Sequence, residues 1–132
     1  MTIVVDASVA AQWVLEEEST PRANTLRLES GLIAPSLIAA EIGSALWKAV
    51  RRRVITSDNA LAAIEVALLP FEALIATEEL RIRALALAVE LQHPIYGCFY
   101  IALAEREQAT LITADEGMIA AARKAKIKVR RL

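Results

Sequence analysis

The run Ile3-Val4-Val5, closed at once by Asp6 and followed by a helical pattern of Val9, Trp13 and Val14, constrains this chain more than any other stretch. Consecutive β-branched residues with no polar alternation describe a strand buried on both faces, as in a parallel sheet. An acid at the carboxyl end of such a strand, just ahead of a helix, lies where open α/β sheets place their ligands. Asp6 is therefore the reference point for every other candidate residue.

The remaining pattern repeats that theme. A first helix is expected to run to about Leu15, followed by a polar turn at Glu16, Glu17 and Glu18, and Thr20-Pro21 reads as the start of a second helix over 21–29. Leu32-Ile33-Ala34 is a strand candidate, and Ser36 is a candidate N-cap for a long helix over 37–53. Thr56-Ser57-Asp58 caps a helix ending near Leu69-Pro70, and another covers 77–91, with no strand expected between them. His93-Pro94 breaks the chain before a helix over 97–106. Thr110 to Thr113 is a strand, Asp115 starts the last helix, and Ile127-Lys128-Val129 is a final strand. Short strands alternating with helices imply an α/β fold with a small parallel sheet covered on both faces. The helices 56–69 and 77–91 are expected to form a helical arm outside it.

At 132 residues the chain is expected to be a single domain, 1–132. Its hydrophobic fraction of 56% and mean hydropathy of +0.42 are high, yet the longest apolar run, Val66 to Ala76, is interrupted by Pro70 and Glu72. That is too short for a membrane span, so the surplus apolar surface is expected to meet a partner chain. No basic segment precedes Ile3, which argues against a secretory leader. The single cysteine, Cys98, excludes an internal disulfide and fits a reducing, cytoplasmic setting. Net charge is −1, but Lys48 with Arg51, Arg52 and Arg53, and the tail from Arg123 to Arg131, form basic clusters. Such clusters can hold phosphates, although on charge alone solvated helix ends and a charged edge strand are the favoured explanation.

Three carboxylates have informative addresses. Asp6 ends the first strand, Asp115 follows the strand at 110–113, and Glu41 sits among Leu37, Ile38, Ala40, Ile42 and Ala45 on a largely apolar helix. An unpaired buried carboxylate there would cost several kcal/mol or raise its pKa, so Glu41 should face a polar cleft or find a partner. Were the three to converge, a hard cation, Mg²⁺ or Mn²⁺, would relieve their repulsion and leave positions for a phosphate oxygen and an attacking water. Ser8 and Thr113, each two residues from a candidate acid, are placed to orient them. An aspartate ahead of a helix is also an ordinary N-cap, and Glu41 has Lys48 as an alternative partner, so purely structural roles stay open. Trp13, Trp47, Phe99 and Tyr100 read as core or interface aromatics, His93 as a surface turn residue and Cys98 as a small packed hydrophobe.

Four segments in this order carry a resemblance: Ile-Val-Val-Asp-Ala-Ser-Val at 3–9, Ala-Pro-Ser-Leu-Ile-Ala-Ala-Glu-Ile-Gly-Ser-Ala-Leu at 34–46, Tyr-Gly-Cys-Phe-Tyr-Ile-Ala-Leu-Ala-Glu at 96–105 and Thr-Leu-Ile-Thr-Ala-Asp at 110–115. The chain resembles PIN-domain proteins, in particular the VapC-type toxin ribonucleases of toxin–antitoxin operons. The resemblance implies a three-layer α/β/α sandwich and a homodimer held in check by a cognate antitoxin. It also implies RNA substrates, of the transfer or ribosomal class, cut with Mg²⁺ or Mn²⁺. It further implies that Asp6, Glu41 and Asp115 are metal-binding and catalytic acids, with Thr113 a hydroxyl beside the last.

One departure stands out. Where such proteins carry Tyr-Asp, with the Asp a metal ligand, this chain reads Tyr96-Gly97. The loss of one ligand and one negative charge implies weakened or absent activity. Glu105, eight residues on, is about 12 Å away along a helix and cannot substitute; Glu116 is a nearer candidate. The alternatives are a PIN-fold module that binds RNA or an antitoxin without chemistry, and a receiver-like phosphoacceptor domain, which fits neither the Glu41 helix nor the arm.

Overall fold

The computed structural model describes residues 1–16 and 20–132. Five strands form one parallel sheet: β1 (Ile3–Val5), β2 (Leu32–Pro35), β3 (Ala73–Ile75), β4 (Thr110–Thr113) and β5 (Val129–Arg131), in the order β3-β2-β1-β4-β5. The helices are α1 (Ala7–Ala10), continued by a 3₁₀ turn Ala11–Trp13, then α2 (Thr20–Leu26), α3 (Ile38–Arg51) and α4 (Ser57–Leu68). A 3₁₀ turn Thr77–Leu80 leads into α5 (Arg81–Leu91), and α6 (Ile95–Glu107) and α7 (Glu116–Lys124) complete the set. The result is an α/β sandwich.

The apolar runs explain the layout. Val4, Val5, Leu32, Ala34, Leu111 and Ile112 are all buried, as the unbroken β-branched and leucine-rich strands require. Helix α6 buries Cys98 and every residue from Tyr100 to Ala104. It touches β1, β2 and β4, so it is the central helix over the sheet. Helix α3 turns Ile38, Ile42 and Leu46 inward at i, i+4 and i+8, each burial worth about 1.5–3 kcal/mol. The indole of Trp13 is buried, donates to the Ala23 carbonyl at 2.7 Å and meets Phe71 at 5.5 Å between ring centres.

Strand order reverses between β1 and β4: successive connections run outward through β2 and β3, then jump across β1 to β4 and β5. Val5 lies beside Ile112, and the Asp6 amide donates to the Ile112 carbonyl at 3.3 Å. The carboxyl ends of β1 and β4 therefore open together at the topological switch point.

Four sequence expectations are corrected. A strand, β3, does lie between the helices 56–69 and 77–91, pairing with β2 at the sheet edge. Its Ala73 and Leu74 are exposed and it holds a single β-branched residue, so its three residues carry no burial signal. Nor do those two helices form an arm together: α4 packs chiefly on α3, and α5 chiefly on α6. The last strand is Val129–Arg131, not 127–129, because Lys126 adopts φ 62° and the Ile127 amide donates to Ala122 to close α7. Ser36 does not cap α3; instead Thr77 Oγ1 accepts from the Leu37 amide at 2.8 Å while Ser36 Oγ accepts from the Thr77 amide at 3.1 Å.

The second helix ends at Leu26 rather than 29, and the opening helix tightens into its 3₁₀ turn by Trp13. The expected turn at Glu17 and Glu18 lies outside the described residues. Thr56 caps α4 as expected, accepting from the Asn59 amide. The basic tail becomes a charged edge strand, with Arg130 facing Glu29 and Arg131 paired with Glu116. Among the described residues no helix is long and apolar enough to cross a membrane.

Gly31 enters β2 at φ 81°, and a Cβ there would stand 2.2 Å from the Met1 carbonyl oxygen. Gly31→Ala is expected to lower stability by about 1–3 kcal/mol, read as a reduced urea midpoint. Gly43→Ala in α3, whose Cβ would meet only Ile64 Cδ1 at 3.5 Å, should be neutral or stabilising by up to ~1 kcal/mol. Equal midpoints for the two variants would contradict this account of the turn.

Candidate metal centre

Asp6 caps α1 and is buried, 3% exposed. Its Oδ1 accepts from the Ser8 amide at 3.0 Å and the Ser8 hydroxyl at 2.6 Å, and its Oδ2 accepts from Thr113 Oγ1 at 2.5 Å. Both hydroxyls are themselves oriented by the turn after β4: Ala114 N–H donates to Ser8 Oγ and Asp115 N–H to Thr113 Oγ1. Two hydroxyls thus relay two backbone N–H groups of the β4–α7 turn onto one carboxylate at the end of β1. Burial nonetheless outweighs these bonds and pushes the Asp6 carboxyl up to about 6.

Asp115 caps α7, its Oδ1 accepting from the Gly117 and Met118 amides. Glu41, one turn into α3, is raised by burial and partly compensated by the Tyr100 hydroxyl, which donates to Oε1 at 2.6 Å. Tyr100 is itself buried on α6, and burial together with the Glu41 charge drives its phenol strongly upward, keeping it a donor.

Asp6, Glu41 and Asp115 line one pocket of about 270 Å³, together with Ser8, His93, Tyr96, Gly97, Tyr100 and Met118. No lysine or arginine lines it. The three acids and Ser8 thus line one pocket, Thr113 is bonded to Asp6 behind it, and both aspartates are also the caps that local chemistry suggested. The oxygens do not converge fully: among the described residues no three acidic, histidine or cysteine side chains stand close enough to hold an ion jointly. The reason is local. Asp115 Oδ1 is drawn to its own helix and Glu41 Oε1 to Tyr100, while among the described residues the second oxygen of each has no protein donor. An oxygen-rich set facing a pocket without cationic side chains fits a hard divalent ion that keeps part of its water shell.

Two pocket residues lie outside the sequence expectation. Tyr100, read as a core or interface aromatic, is in the core and also reaches the pocket, one turn beyond Tyr96 and Gly97, a spacing that puts it on their helical face. His93 was read as a surface turn residue but reaches the pocket, four residues ahead of Gly97. Neither substitute acid reaches it: Glu105 is held by the Arg83 guanidinium at 2.7 and 2.9 Å, and Glu116 pairs with Arg131.

The model of the PIN domain family matches residues 3–124. The chain is 34% identical over 118 residues to Ribonuclease VapC3 of Pyrobaculum aerophilum, covering 87% of this chain and 90% of that one. It belongs to the PIN domain family. Solved structures share the fold: PAE2754 from P. aerophilum has a TM-score of 0.72 at 24% identity, covering 98% of this chain and 83% of that one. VapBC2 from Rickettsia felis, bound to a DNA fragment from its promoter, has a TM-score of 0.74 at 14% identity, covering 100% and 99%. FitAcB from Neisseria gonorrhoeae has 0.65 at 14%, covering 97% and 96%.

Two measurements test this geometry. In metal-free protein the raised Asp6 carboxyl favours the fold fully below its unfolded value of 3.8, and that contribution is lost as pH rises through about 6. The span corresponds to about 3 kcal/mol. Denaturant unfolding at pH 7.5 and 4.5 should therefore show a gain on acidification that Asp6→Asn lacks; parallel pH profiles would refute the buried charge. Tyr100→Phe, which strands Glu41 Oε1, is expected to cost about 1.5–3 kcal/mol, measured by the same titration at pH 7.5.

Proposed function

We propose that this chain is a metal-dependent endoribonuclease of the VapC type, the toxin of a type II toxin–antitoxin pair. The observation that supports it is the pocket at the β1/β4 switch point, which Asp6, Glu41 and Asp115 line together. Asp6, Glu41 and Asp115 would hold the ion, Mg²⁺ or Mn²⁺. When bound, the ion supplies positive charge against the scissile phosphate and acidity for an attacking water. Ser8 and Thr113 fix the orientation of the Asp6 carboxylate.

A larger groove of about 740 Å³ continues from Ser8 and Glu41 past Ser44 to Lys48. Glu41 and Lys48 are two helical turns apart, roughly 10 Å, so the lysine can hold an RNA phosphate flanking the one at the acids. Arg51 and Arg52 extend this basic margin, with Arg51 lying 4.7 Å over the Trp47 ring. Steering of RNA by these cations suits a chain that is otherwise near neutral. Exposed Ile82, Leu85 and Val89 on α5 supply apolar surface for a second copy or an antitoxin. Transfer or ribosomal RNA in the cytoplasm is the substrate class that this reading carries.

Gly97 favours a second reading, a PIN-fold module that binds RNA or antitoxin without cleaving. Incubating the chain with total transfer and ribosomal RNA plus Mn²⁺ separates the two. Specific cleavage is expected, abolished by chelation and lowered at least about 100-fold by Asp6→Asn, since small misplacements of reacting groups already cost that much. Cleavage unaffected by Asp6→Asn would reject the site, and no cleavage with intact RNA or antitoxin binding would establish the silent module.

A further inference from the structure

The room for a side chain at position 97 is already taken. A Cβ on Gly97 would lie 2.6 Å from Nε2 and 3.0 Å from Cδ2 of His93, and 2.9 Å from Met118 Cε. The imidazole therefore stands over the glycine, on the pocket that Asp6, Glu41 and Asp115 line. Its Cε1 comes within 3.7 Å of the corresponding point on Gly117, so the ring bridges the starts of α6 and α7. A Cβ at this position would require the ring to move.

The backbone fixes the point from which the ring projects. Gln92 ends α5 in the left-handed conformation, the His93 amide donates to the Ala88 carbonyl at 3.2 Å, and the His93 carbonyl lies 3.8 Å from Cys98 Sγ. Pro94 then fixes the entry to α6. Among the described residues neither ring nitrogen has a hydrogen-bond or ion-pair partner, so Nε2 keeps its lone pair for a ligand.

We propose that His93 Nε2 supplies the donor that position 97 lacks, making the centre a mixed imidazole–carboxylate site that prefers Mn²⁺ to Mg²⁺. This rests on the metal-dependent reading above. A neutral nitrogen in place of a carboxylate removes one negative charge, which weakens Mg²⁺ most, because that ion is held by hard oxygens and dehydrates reluctantly. Imidazole suits transition ions, and the lost charge is offset by a bond that Mg²⁺ scarcely forms.

His93 is the chain's only histidine, so an untagged protein gives an unambiguous signal. Metal-free protein is titrated with MnCl₂ and with MgCl₂ by calorimetry, and the Mn²⁺ form is examined by pulsed EPR for coupling to an imidazole ¹⁴N. The wild type should bind Mn²⁺ at least about tenfold more tightly than Mg²⁺ and show the coupling. His93→Gln, with its melting temperature checked, should lose the coupling and at least about tenfold in Mn²⁺ affinity, the lower end of what a tuned metal site loses when a supporting group is removed. Gly97→Asp must displace the ring and should shift the preference toward Mg²⁺. Absent ¹⁴N coupling, unchanged Mn²⁺ affinity in His93→Gln, or no Mn²⁺ binding at millimolar concentration each overturns the inference. These readouts need no RNA: failure to cleave with the metal preference intact counts against the ribonuclease reading alone.

Discussion

A carboxylate that water cannot reach must be answered by the protein, and Asp6 is answered from two strands at once. Ser8 belongs to its own helix, Thr113 to β4, and both hydroxyls are aimed by amides of the turn after β4. Hydrogen bonds to a charged group are worth about 1.5–3 kcal/mol each, which is the scale on which this clasp ties the ends of β1 and β4 together. The same bonds do not fully offset desolvation, so the carboxylate is left electrostatically hungry at the mouth of the sheet. Stability and site share one group, and the group is poised toward a cation rather than toward comfort.

Much of this was legible because the relevant residues obey local rules. The buried strand, the acid at its end, and the hydroxyls two positions away are all readable from residue type and spacing, and both aspartates are caps as well as site acids. Glu41 was identifiable as a polar residue on an apolar helix needing a partner, but the partner was not, since Tyr100 is 59 residues away. What failed to show was β3, whose identity is conferred by pairing at the β2 edge and not by its own three residues. The helical arm failed for the same reason, because which helix α4 packs on is a tertiary fact.

Position 97 illustrates how an absence in the sequence differs from an absence in space. Read along the chain, Gly97 is a missing acid. In three dimensions its volume is filled by His93 and Met118, and its helical backbone is continuous with the rest of α6. The imidazole occupies the space that the glycine leaves open. The substitutes that linear distance suggested, Glu105 and Glu116, are engaged by Arg83 and Arg131.

Helix α6 brings Gly97 and, one turn on, Tyr100 to the pocket, while its Ile101 and Leu103 are buried and the helix packs on β1, β2 and β4. Site and foundation are therefore one beam. A helix so embedded has no freedom to adjust one end without the other, as close-packed interiors transmit strain instead of absorbing it. A change of one methylene at Ile101, which lines no part of the pocket, is for this molecule a change in the packing of the helix that does.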